Sequence, residues 1–222
     1  MKLLNTYIDH TLLKPTATKN DIIKLCNEAM EHQFFSVCVN SCYVPLAKAQ
    51  LKNSNVKVCS VIGFPLGSMS TQAKVDEAKS ALKSGADEID MVINSGFLKS
   101  KDFDAVWKDI EAVKKIMPQK VLKVILETCY LEELEIIKAS ELAIQSGADF
   151  IKTSTGFGTG GATIKDVKLM QKVANKQVKI KASGGIKDTK TALEYIRLGV
   201  ERLGTSSGIA IVTGKSTIET NY

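Results

Sequence analysis

The residues with the clearest potential for chemistry lie between Phe150 and Gly156, in the segment Phe-Ile-Lys-Thr-Ser-Thr-Gly. A short apolar run carries Lys152 at its C-terminal end, and Thr155 and Gly156 lead into a loop rich in glycine. Burial disfavours the ammonium form of a lysine, and the neutral amine is the form that attacks carbonyl groups. We therefore predict that Lys152 is a nucleophile. Taken alone, the segment also allows a lysine that extends from a strand end into solvent.

A weak internal repeat relates Lys152 to an acidic residue. The tetrapeptide Ser-Gly-Ala-Asp occurs at 84–87 and again at 146–149, and in each copy a helical segment ends at glycine before an apolar run begins. Asp90 follows the first glycine by five residues, and Lys152 follows the second by five. We therefore expect the two side chains at equivalent heights on two strands, with an acid near an amine.

Short apolar runs that read as strands alternate along the chain with longer segments of helical period. The helical segments include 72–84, 104–116, 131–145 and 164–174. Eight strand and helix units in 222 residues predict an α/β fold, a (β/α)₈ TIM barrel that forms a single domain over residues 1–222. A flexible polar tail is expected from about residue 213. The predicted strands are 7–10, 35–39, 56–62, 88–93, 122–127, 150–153, 178–182 and 202–204.

Alternation along these strands directs several charged side chains into the barrel. Because helices cover the outer face of the barrel, apolar strand positions must face outward. Outward Ile89 and Met91 turn Asp90 inward, and outward Ile8 turns Asp9 inward. Each inward charge by itself is compatible with a structural ion pair. Together they predict a site, because unpaired buried ions are strongly unfavourable. The inward set is Asp9, Asp90, Lys123, Lys152 and Lys181.

The loops after predicted strands seven and eight have the composition of a phosphate site. Gly184 and Gly185 follow the seventh strand, and the eighth ends at Gly204 before Ser206 and Ser207. Phosphate sites of this barrel are often built from these two loops, where glycines let backbone N–H groups approach an anion. Tight turns alone are the alternative explanation for the glycines. With only two arginines in the chain, backbone amides and serine hydroxyls are expected to hold the phosphate.

Composition narrows the class of protein. No apolar run reaches the length of a membrane helix, and the N-terminal segment meets a charge too soon for a signal peptide, so a cytoplasmic location is expected. Five cysteines without a CxxC pair suit a reducing compartment. Two histidines disfavour a zinc or iron mechanism, and no metal is expected. The net charge of +6 is scattered and predicts no nucleic-acid partner.

With these segments in view, the chain resembles the deoxyribose-phosphate aldolase family of Schiff-base (class I) aldolases, which have the (β/α)₈ fold. The resemblance implies reversible cleavage of 2-deoxy-D-ribose 5-phosphate into D-glyceraldehyde 3-phosphate and acetaldehyde. It also implies that no cofactor is needed and that a homodimer forms. The segments that carry it are 8–15, 37–40, 61–67, 88–92, 123–128, 150–161, 181–185 and 204–208.

The resemblance assigns roles to the predicted residues. Lys152 matches the lysine that forms the Schiff base, and Asp90 and Lys181 match residues that donate and accept protons. Like-charge repulsion from Lys181 would also favour the neutral amine of Lys152. Some members carry a lysine after the Ser-Thr-Gly of strand six, where this chain has Phe157. Four further residues are expected to complete the charge network or to line the pocket: Asp9, Lys123, Thr11 and Cys38.

The C-terminal residue, Tyr222, is a further candidate. Ten extended residues span roughly 33 Å, enough to reach the catalytic end of a barrel from its base. We hypothesise that Tyr222 moves a proton at the enamine carbon, as a phenol is able to do. Family members often end in tyrosine as well.

Two other functions stay open on the same sequence. One is a different phosphosugar enzyme on this barrel, such as a transaldolase-like Schiff-base enzyme or an isomerase. The other is a non-catalytic barrel that binds a phosphorylated ligand. Imine trapping separates the aldolase from the second of these, because phosphate binding alone forms no imine.

Overall fold

The computed structural model describes residues 3–214. Within this range eight parallel strands pair in sequence order, and the first closes on the eighth to complete a barrel. The predicted (β/α)₈ barrel is confirmed. The strands are β1 (Ile8–Leu12), β2 (Ser36–Val39), β3 (Lys57–Ile62), β4 (Glu88–Val92), β5 (Val121–Ile125), β6 (Phe150–Lys152), β7 (Lys179–Ser183) and β8 (Arg202–Thr205).

Helices occupy every crossover between consecutive strands. The four predicted helical segments differ from the observed helices by at most two residues at either end. No helix within residues 3–214 is long and apolar enough to cross a membrane. The helices of this range are α1 (Lys19–Glu31), α2 (Val44–Gln50), α3 (Thr71–Lys83), α4 (Ser95–Lys99), α5 (Phe103–Lys115), α6 (Glu133–Gln145), α7 (Ile164–Ala174), α8 (Thr189–Arg197) and α9 (Gly208–Thr213).

Polar side chains fix where several of these helices begin. Thr18 forms a reciprocal capping box with Asp21 at the start of α1. The side chains of Ser70, Asp102 and Thr163 each accept a backbone N–H at the start of α3, α5 and α7. These contacts satisfy amide groups that have no partner within the helix. They therefore set the lengths of the loops that carry the chain from each strand end to the next helix.

The apolar core lies between the barrel and its helices. Outward strand residues such as Ile8, Ile89 and Val124 are fully buried, and they pack with helix residues such as Ile22 and Ile110. Because this shell absorbs the apolar strand positions, the inward positions are left for polar and charged residues. The outer shell thus stabilises the fold, and the barrel interior is available for chemistry.

The strand register places Asp90 and Lys152 in the same layer of the interior. Along the ladder Asp90 pairs with Lys123, and Lys123 pairs with Phe150, so Lys152 lies two residues further on and two strands away. Strands of a barrel with eight strands and a shear of eight shift by about one residue per strand, which returns Lys152 to the height of Asp90. The same shift of one residue per strand, applied around the whole barrel, arranges the inward side chains in two adjacent layers. The upper one contains Cys38, Asp90, Lys152 and Gly204, and the one below contains Asp9, Cys59, Lys123 and Lys181.

A buried ion pair joins two helices outside the barrel. Lys74 of α3 is fully buried, and its Nζ donates to Asp109 of α5 at 2.5 Å and to the carbonyl oxygen of Val92 at 3.0 Å. The hydroxyl of Thr71 donates to the other carboxylate oxygen of Asp109. Burial lowers the pKa of Lys74, although the charge of Asp109 opposes that shift.

Removing the carboxylate of this pair should destabilise the barrel strongly. Asp109→Ala leaves a buried ammonium without its counter-charge, so the free energy of unfolding should fall by about 3 to 5 kcal/mol in urea denaturation. Asp104→Ala is the matched control, because Asp104 is on the same helix and pairs with Lys108 at an exposed site. Equal effects of the two substitutions would contradict a structural role for the buried pair.

Candidate active site

The carboxylate of Asp90 lies at the centre of a buried cluster of charges. Its Oδ2 accepts hydrogen bonds from Lys152 Nζ at 2.9 Å and from Lys181 Nζ at 2.8 Å. Its Oδ1 accepts from Lys123 Nζ at 2.8 Å and from Cys59 Sγ at 3.1 Å. Four strands, β3, β5, β6 and β7, thus direct side chains to one acidic group on β4.

Two more carboxylates, those of Asp9 and Glu88, lie next to this cluster and form ion pairs with its lysines. Asp9 forms an ion pair with Lys181 at 2.5 Å and accepts a hydrogen bond from Arg202 at 2.6 Å. Glu88 forms an ion pair with Lys123 at 2.6 Å and accepts a hydrogen bond from Arg202 at 2.8 Å. The charged network therefore contains four basic groups and three carboxylates.

Glu88 and Arg202 are absent from the predicted site, although a signal for them existed. Glu88 lies two residues before Asp90 on β4, and Arg202 lies two residues before Gly204 on β8. The period of two that turns Asp90 inward also turns Glu88 inward. Both side chains are buried and serve as partners for the residues that were predicted.

Opposite charges, and not burial, set the protonation of the network. Burial by itself raises the pKa of Asp90, but Lys123, Lys152 and Lys181 outweigh it and hold that pKa well below its usual range. Burial likewise disfavours the charged form of Lys181, yet Asp9 and Asp90 raise its pKa above the ordinary value. Ionised carboxylates and ammonium groups therefore coexist in the buried interior of the barrel.

Lys152 has the fewest counter-charges in this network. Its one carboxylate contact within residues 3–214 is with Asp90 Oδ2, an oxygen that also accepts from Lys181. Lys181 and Lys123 each contact two carboxylates. Lys152 also lines a cavity, although only 3% of its side chain is exposed. Its amine combines the weakest electrostatic hold with access to a ligand.

The cavity above Lys152 has a volume of about 400 Å³ and opens at the C-terminal ends of the strands. It is bounded by the loops after β6, β7 and β8 and by the end of β1. The predicted residues in its lining are Thr11, Lys152, Thr155, Gly156, Gly184, Gly185, Gly204, Ser206 and Ser207. The residues that were not predicted are Leu12, Leu13, Lys14, Phe157, Ser183, Ile186, Lys187 and Thr205.

The loops after β7 and β8 are tied to each other. Thr205 donates its hydroxyl to the carbonyl of Ile186 at 2.7 Å and accepts the N–H of Ser207 at 2.9 Å. Gly184 and Gly185 both have positive φ, which the absence of a Cβ permits. Two lysines, Lys14 and Lys187, add positive charge to the same cavity, a contribution that the sequence prediction assigned to backbone amides and hydroxyls alone.

Four of the supporting residues predicted from the sequence lie below the cavity or outside the described chain. Asp9 and Lys123 are fully buried in the charged network. Cys38 is also buried and is absent from the cavity lining. Tyr222 lies outside the described residues.

One cluster of residue types known as metal ligands occurs in the described part of the chain. Cys38, Cys59 and Asp90 offer ligand atoms within 4.8 Å of one another. A hydrogen bond from Cys59 lowers the pKa of Cys38, whereas burial raises the pKa of Cys59. The Asp90 carboxylate is shared by three ammonium groups, whose charges repel a cation. The donor set therefore does not fit a metal ion.

Fold and geometry define a class of protein: a (β/α)₈ barrel that presents a lysine amine at the base of a cavity with glycine loops. A family model described as DeoC/LacD family aldolase matches residues 3–214. The chain belongs to this family of aldolases.

Individual relatives agree with the family. A protein of Finegoldia magna named deoxyribose-phosphate aldolase is 58% identical over 211 residues, which cover 95% of this chain and 99% of that one. The solved structure of an aldolase named QR15 superposes with a TM-score of 0.92 at 44% identity and 96% coverage of both chains. A tetrameric deoxyribose phosphate aldolase from Aeropyrum pernix has a TM-score of 0.89 at 32% identity, covering 95% of this chain and 90% of its own.

The charged network predicts how stability depends on pH. The pKa values of Asp9 and Asp90 are lowered, so their contribution is complete above the unfolded values near pH 4 and is lost as the pH falls further. The pKa values of Lys123 and Lys181 are raised, so their contribution is complete below about pH 10 and is lost at higher pH.

The contribution of these groups to the free energy of unfolding should therefore be constant between about pH 5 and about pH 10 and decline outside that range. Urea denaturation at a series of pH values measures it. Asp90→Asn removes one titrating carboxyl and should reduce the slope on the acid side. An unchanged acid slope in that variant would contradict this account.

Proposed function

We propose that this protein catalyses reversible cleavage of 2-deoxy-D-ribose 5-phosphate into D-glyceraldehyde 3-phosphate and acetaldehyde through a Schiff base on Lys152. The observation that carries the proposal is the amine of Lys152, which combines access to the cavity with a single, shared carboxylate contact. The relatives named deoxyribose-phosphate aldolase support the choice of substrate.

The reaction begins at the aldehyde carbon of the sugar. Lys152, as the neutral amine, adds to the carbonyl group and forms a carbinolamine, which loses water to give a protonated imine. Asp90 and Lys181 move protons in these steps. Asp90 is a weak base while three ammonium groups surround it, and neutralisation of Lys152 removes one of those charges. Its basicity therefore rises when a proton acceptor is needed.

Cleavage follows from the positive charge of the imine. The electrons of the bond between C2 and C3 move to the iminium nitrogen, while the hydroxyl on C3 gives its proton to Asp90 and becomes the aldehyde of D-glyceraldehyde 3-phosphate. Asp90 returns this proton to the terminal carbon of the enamine, and hydrolysis of the resulting imine releases acetaldehyde. Burial lowers the pKa of Lys181, but Asp9 and Asp90 raise it above its ordinary value, so Lys181 begins the reaction protonated and regains any proton that it donates.

The phosphate occupies the part of the cavity between the loops after β7 and β8. Support comes from the positive φ of Gly184 and Gly185, the hydroxyls of Ser206 and Ser207, and the lysines of the lining. Backbone N–H groups in such loops and ammonium charges both favour a dianion.

The remaining predictions concern the whole protein. We keep the homodimer, the cytoplasmic location and the single domain as proposals, and the tail predicted from about residue 213 lies outside the described residues beyond residue 214. The tetramer of the Aeropyrum pernix relative is a different assembly on the same fold. Light scattering of the purified protein measures the mass directly and decides between dimer and tetramer.

The first test of the mechanism is covalent trapping. Borohydride with acetaldehyde should modify Lys152 alone, because reduction converts only an imine into a stable amine. Mass spectrometry of peptides identifies the residue. Lys152→Arg should fold but lose about 10³-fold or more in turnover, because a guanidinium stays protonated and forms no imine.

The matched control is Lys168→Arg, because Lys168 is exposed on α7 and lies outside the charged network. That variant should retain both trapping and turnover. Modification of another lysine, or no modification, would contradict the proposed mechanism. Phosphate binding without any trapping would favour a non-catalytic barrel.

A second test places the phosphate. Ser206→Asp adds a negative charge beside the proposed dianion, so KM for deoxyribose 5-phosphate should rise roughly tenfold or more while KM for deoxyribose changes little. Ser206→Asn is the matched control, because asparagine has nearly the same size as aspartate but carries no charge. If both substrates respond equally to Ser206→Asp, the phosphate binds elsewhere.

A further inference from the structure

Two aromatic rings meet at the mouth of the cavity. Phe157, from the loop after β6, and Phe64, from the loop after β3, lie with ring centroids 5.3 Å apart and planes at 86°, an edge-to-face pair. Phe157 lines the cavity, and half of its surface is exposed. Phe64 packs against a small buried cluster that includes Leu13, which also lines the cavity.

The pair crosses the barrel mouth. β3 and β6 are three strands apart in the closed barrel of eight, so their loops start from nearly opposite sides. The cavity lies on the side bounded by β6, β7, β8 and β1. Phe157 therefore forms the wall of the cavity on the side away from the loops proposed to bind phosphate, and Phe64 contacts Phe157 from outside the cavity lining. That wall is apolar, whereas the opposite end carries hydroxyls and lysines.

The backbone of Phe157 is held by a buried acid. Glu127, at the end of β5, has φ 55° and ψ 63°, a left-handed conformation that is uncommon for residues other than glycine. Its carboxylate accepts the backbone N–H of Thr155 at 3.1 Å and also the hydroxyl of Thr155. The Thr155 hydroxyl oxygen in turn accepts the N–H of Phe157 at 3.0 Å. These contacts form a continuous chain from Glu127 to Phe157.

A glycine allows this loop to approach the acid. A Cβ on Gly158 would lie 2.7 Å from Cys129 Sγ and 3.2 Å from Glu127 Cδ, closer than side chains tolerate. The other ring has its own support, because Gly63, next to Phe64, donates its N–H to Glu77 of α3 at 2.9 Å. Both rings thus project from backbones that are fixed by buried or half-buried carboxylates.

We propose that Phe157, braced by Phe64 and positioned by Glu127 through Thr155, limits the size of the substituent on the donor aldehyde that forms the enamine on Lys152. The proposal rests on the proposed aldolase function. With the phosphate at the loops after β7 and β8, the substituent of the aldehyde bound to Lys152 faces the apolar side of the cavity. Acetaldehyde has no substituent beyond its methyl carbon, and longer aldehydes meet the ring of Phe157.

The test measures condensation of three donor aldehydes with D-glyceraldehyde 3-phosphate: acetaldehyde, propanal and butanal. One methylene group in an apolar pocket changes discrimination by roughly 10- to 200-fold. In Phe157→Ala, the ratio of kcat/KM for butanal to kcat/KM for acetaldehyde should rise about tenfold or more. Phe64→Ala should raise the same ratio less, because it removes the brace and leaves the wall.

Two further variants separate positioning from packing. Glu127→Gln leaves one acceptor oxygen for the two Thr155 donors, so one of the two contacts is lost and the ratio should move in the same direction as in Phe157→Ala but less far. A role of Glu127 in stability alone would leave the ratio unchanged and would overturn its assignment as a positioning residue. Phe97→Ala is the control, because Phe97 is a half-exposed aromatic on α4 that is absent from the cavity lining.

Trapping with acetaldehyde and borohydride, run on each variant, keeps the two proposals distinguishable. Suppose that Lys152 is trapped but Phe157→Ala leaves the donor ratio unchanged or lowers kcat/KM equally for all three donors. The proposed role of Phe157 is then overturned, and the aldolase function stands. If the unsubstituted protein is not trapped, both are overturned. Phe157→Leu serves as a second variant in case alanine disrupts the loop. It keeps a smaller apolar side chain and should also raise the ratio of kcat/KM for butanal to kcat/KM for acetaldehyde.

Discussion

The carboxylate of Asp90, shared by three lysines, is the interaction on which the rest of the barrel interior depends. An isolated buried ion is strongly unfavourable, and a buried pair is stable only when its remaining hydrogen-bonding capacity is satisfied. Here Asp9 and Glu88 provide second carboxylates for Lys181 and Lys123, and Arg202 pairs with both of these carboxylates. The apolar shell between strands and helices provides the stability that lets the interior be polar. The usual branched apolar layers of such barrels are replaced by two layers of largely polar residues.

The absence of a side chain at Gly204 leaves space in the barrel interior for Lys181 and for the cavity. Gly204 occupies the upper layer, where a Cβ would lie 3.0 Å from Cε of Lys181 and 2.9 Å from Cβ of Ser183. Without a side chain at this position, Lys181 can extend between Asp9 and Asp90. The missing side chain also leaves the cavity open above Lys152. One glycine therefore serves both the charge network and the cavity.

Local periodicity was sufficient to predict the parts of the site that lie on strands. The period of two and the Ser-Gly-Ala-Asp repeat brought Asp90 and Lys152 to one height, because strand register converts sequence spacing directly into position. The same pattern contained Glu88 and Arg202, which were overlooked because charged residues at the base of strands also occur as surface groups. The left-handed Glu127 and the contact of Phe64 with Phe157 have no such pattern, since loops from opposite sides of the barrel meet only in three dimensions.

The excess of one positive charge in the network bears on the proposed reaction itself. A protonated imine on Lys152 has the same charge as the ammonium it replaces, so the four basic groups still face three carboxylates. Bond cleavage converts this iminium into a neutral enamine, and in the proposed reaction the proton of the C3 hydroxyl passes to Asp90. Because charges interact more strongly in a buried site, Lys181 and Lys123 disfavour a positive charge on the nitrogen of Lys152, whereas Asp90 favours it. Cleavage in this scheme neutralises Lys152 and Asp90 together, the two groups that form an ion pair in the free protein. The network therefore keeps its excess of one positive charge through the step, and the remaining ion pairs of Lys123, Lys181 and Arg202 with Asp9 and Glu88 are unchanged.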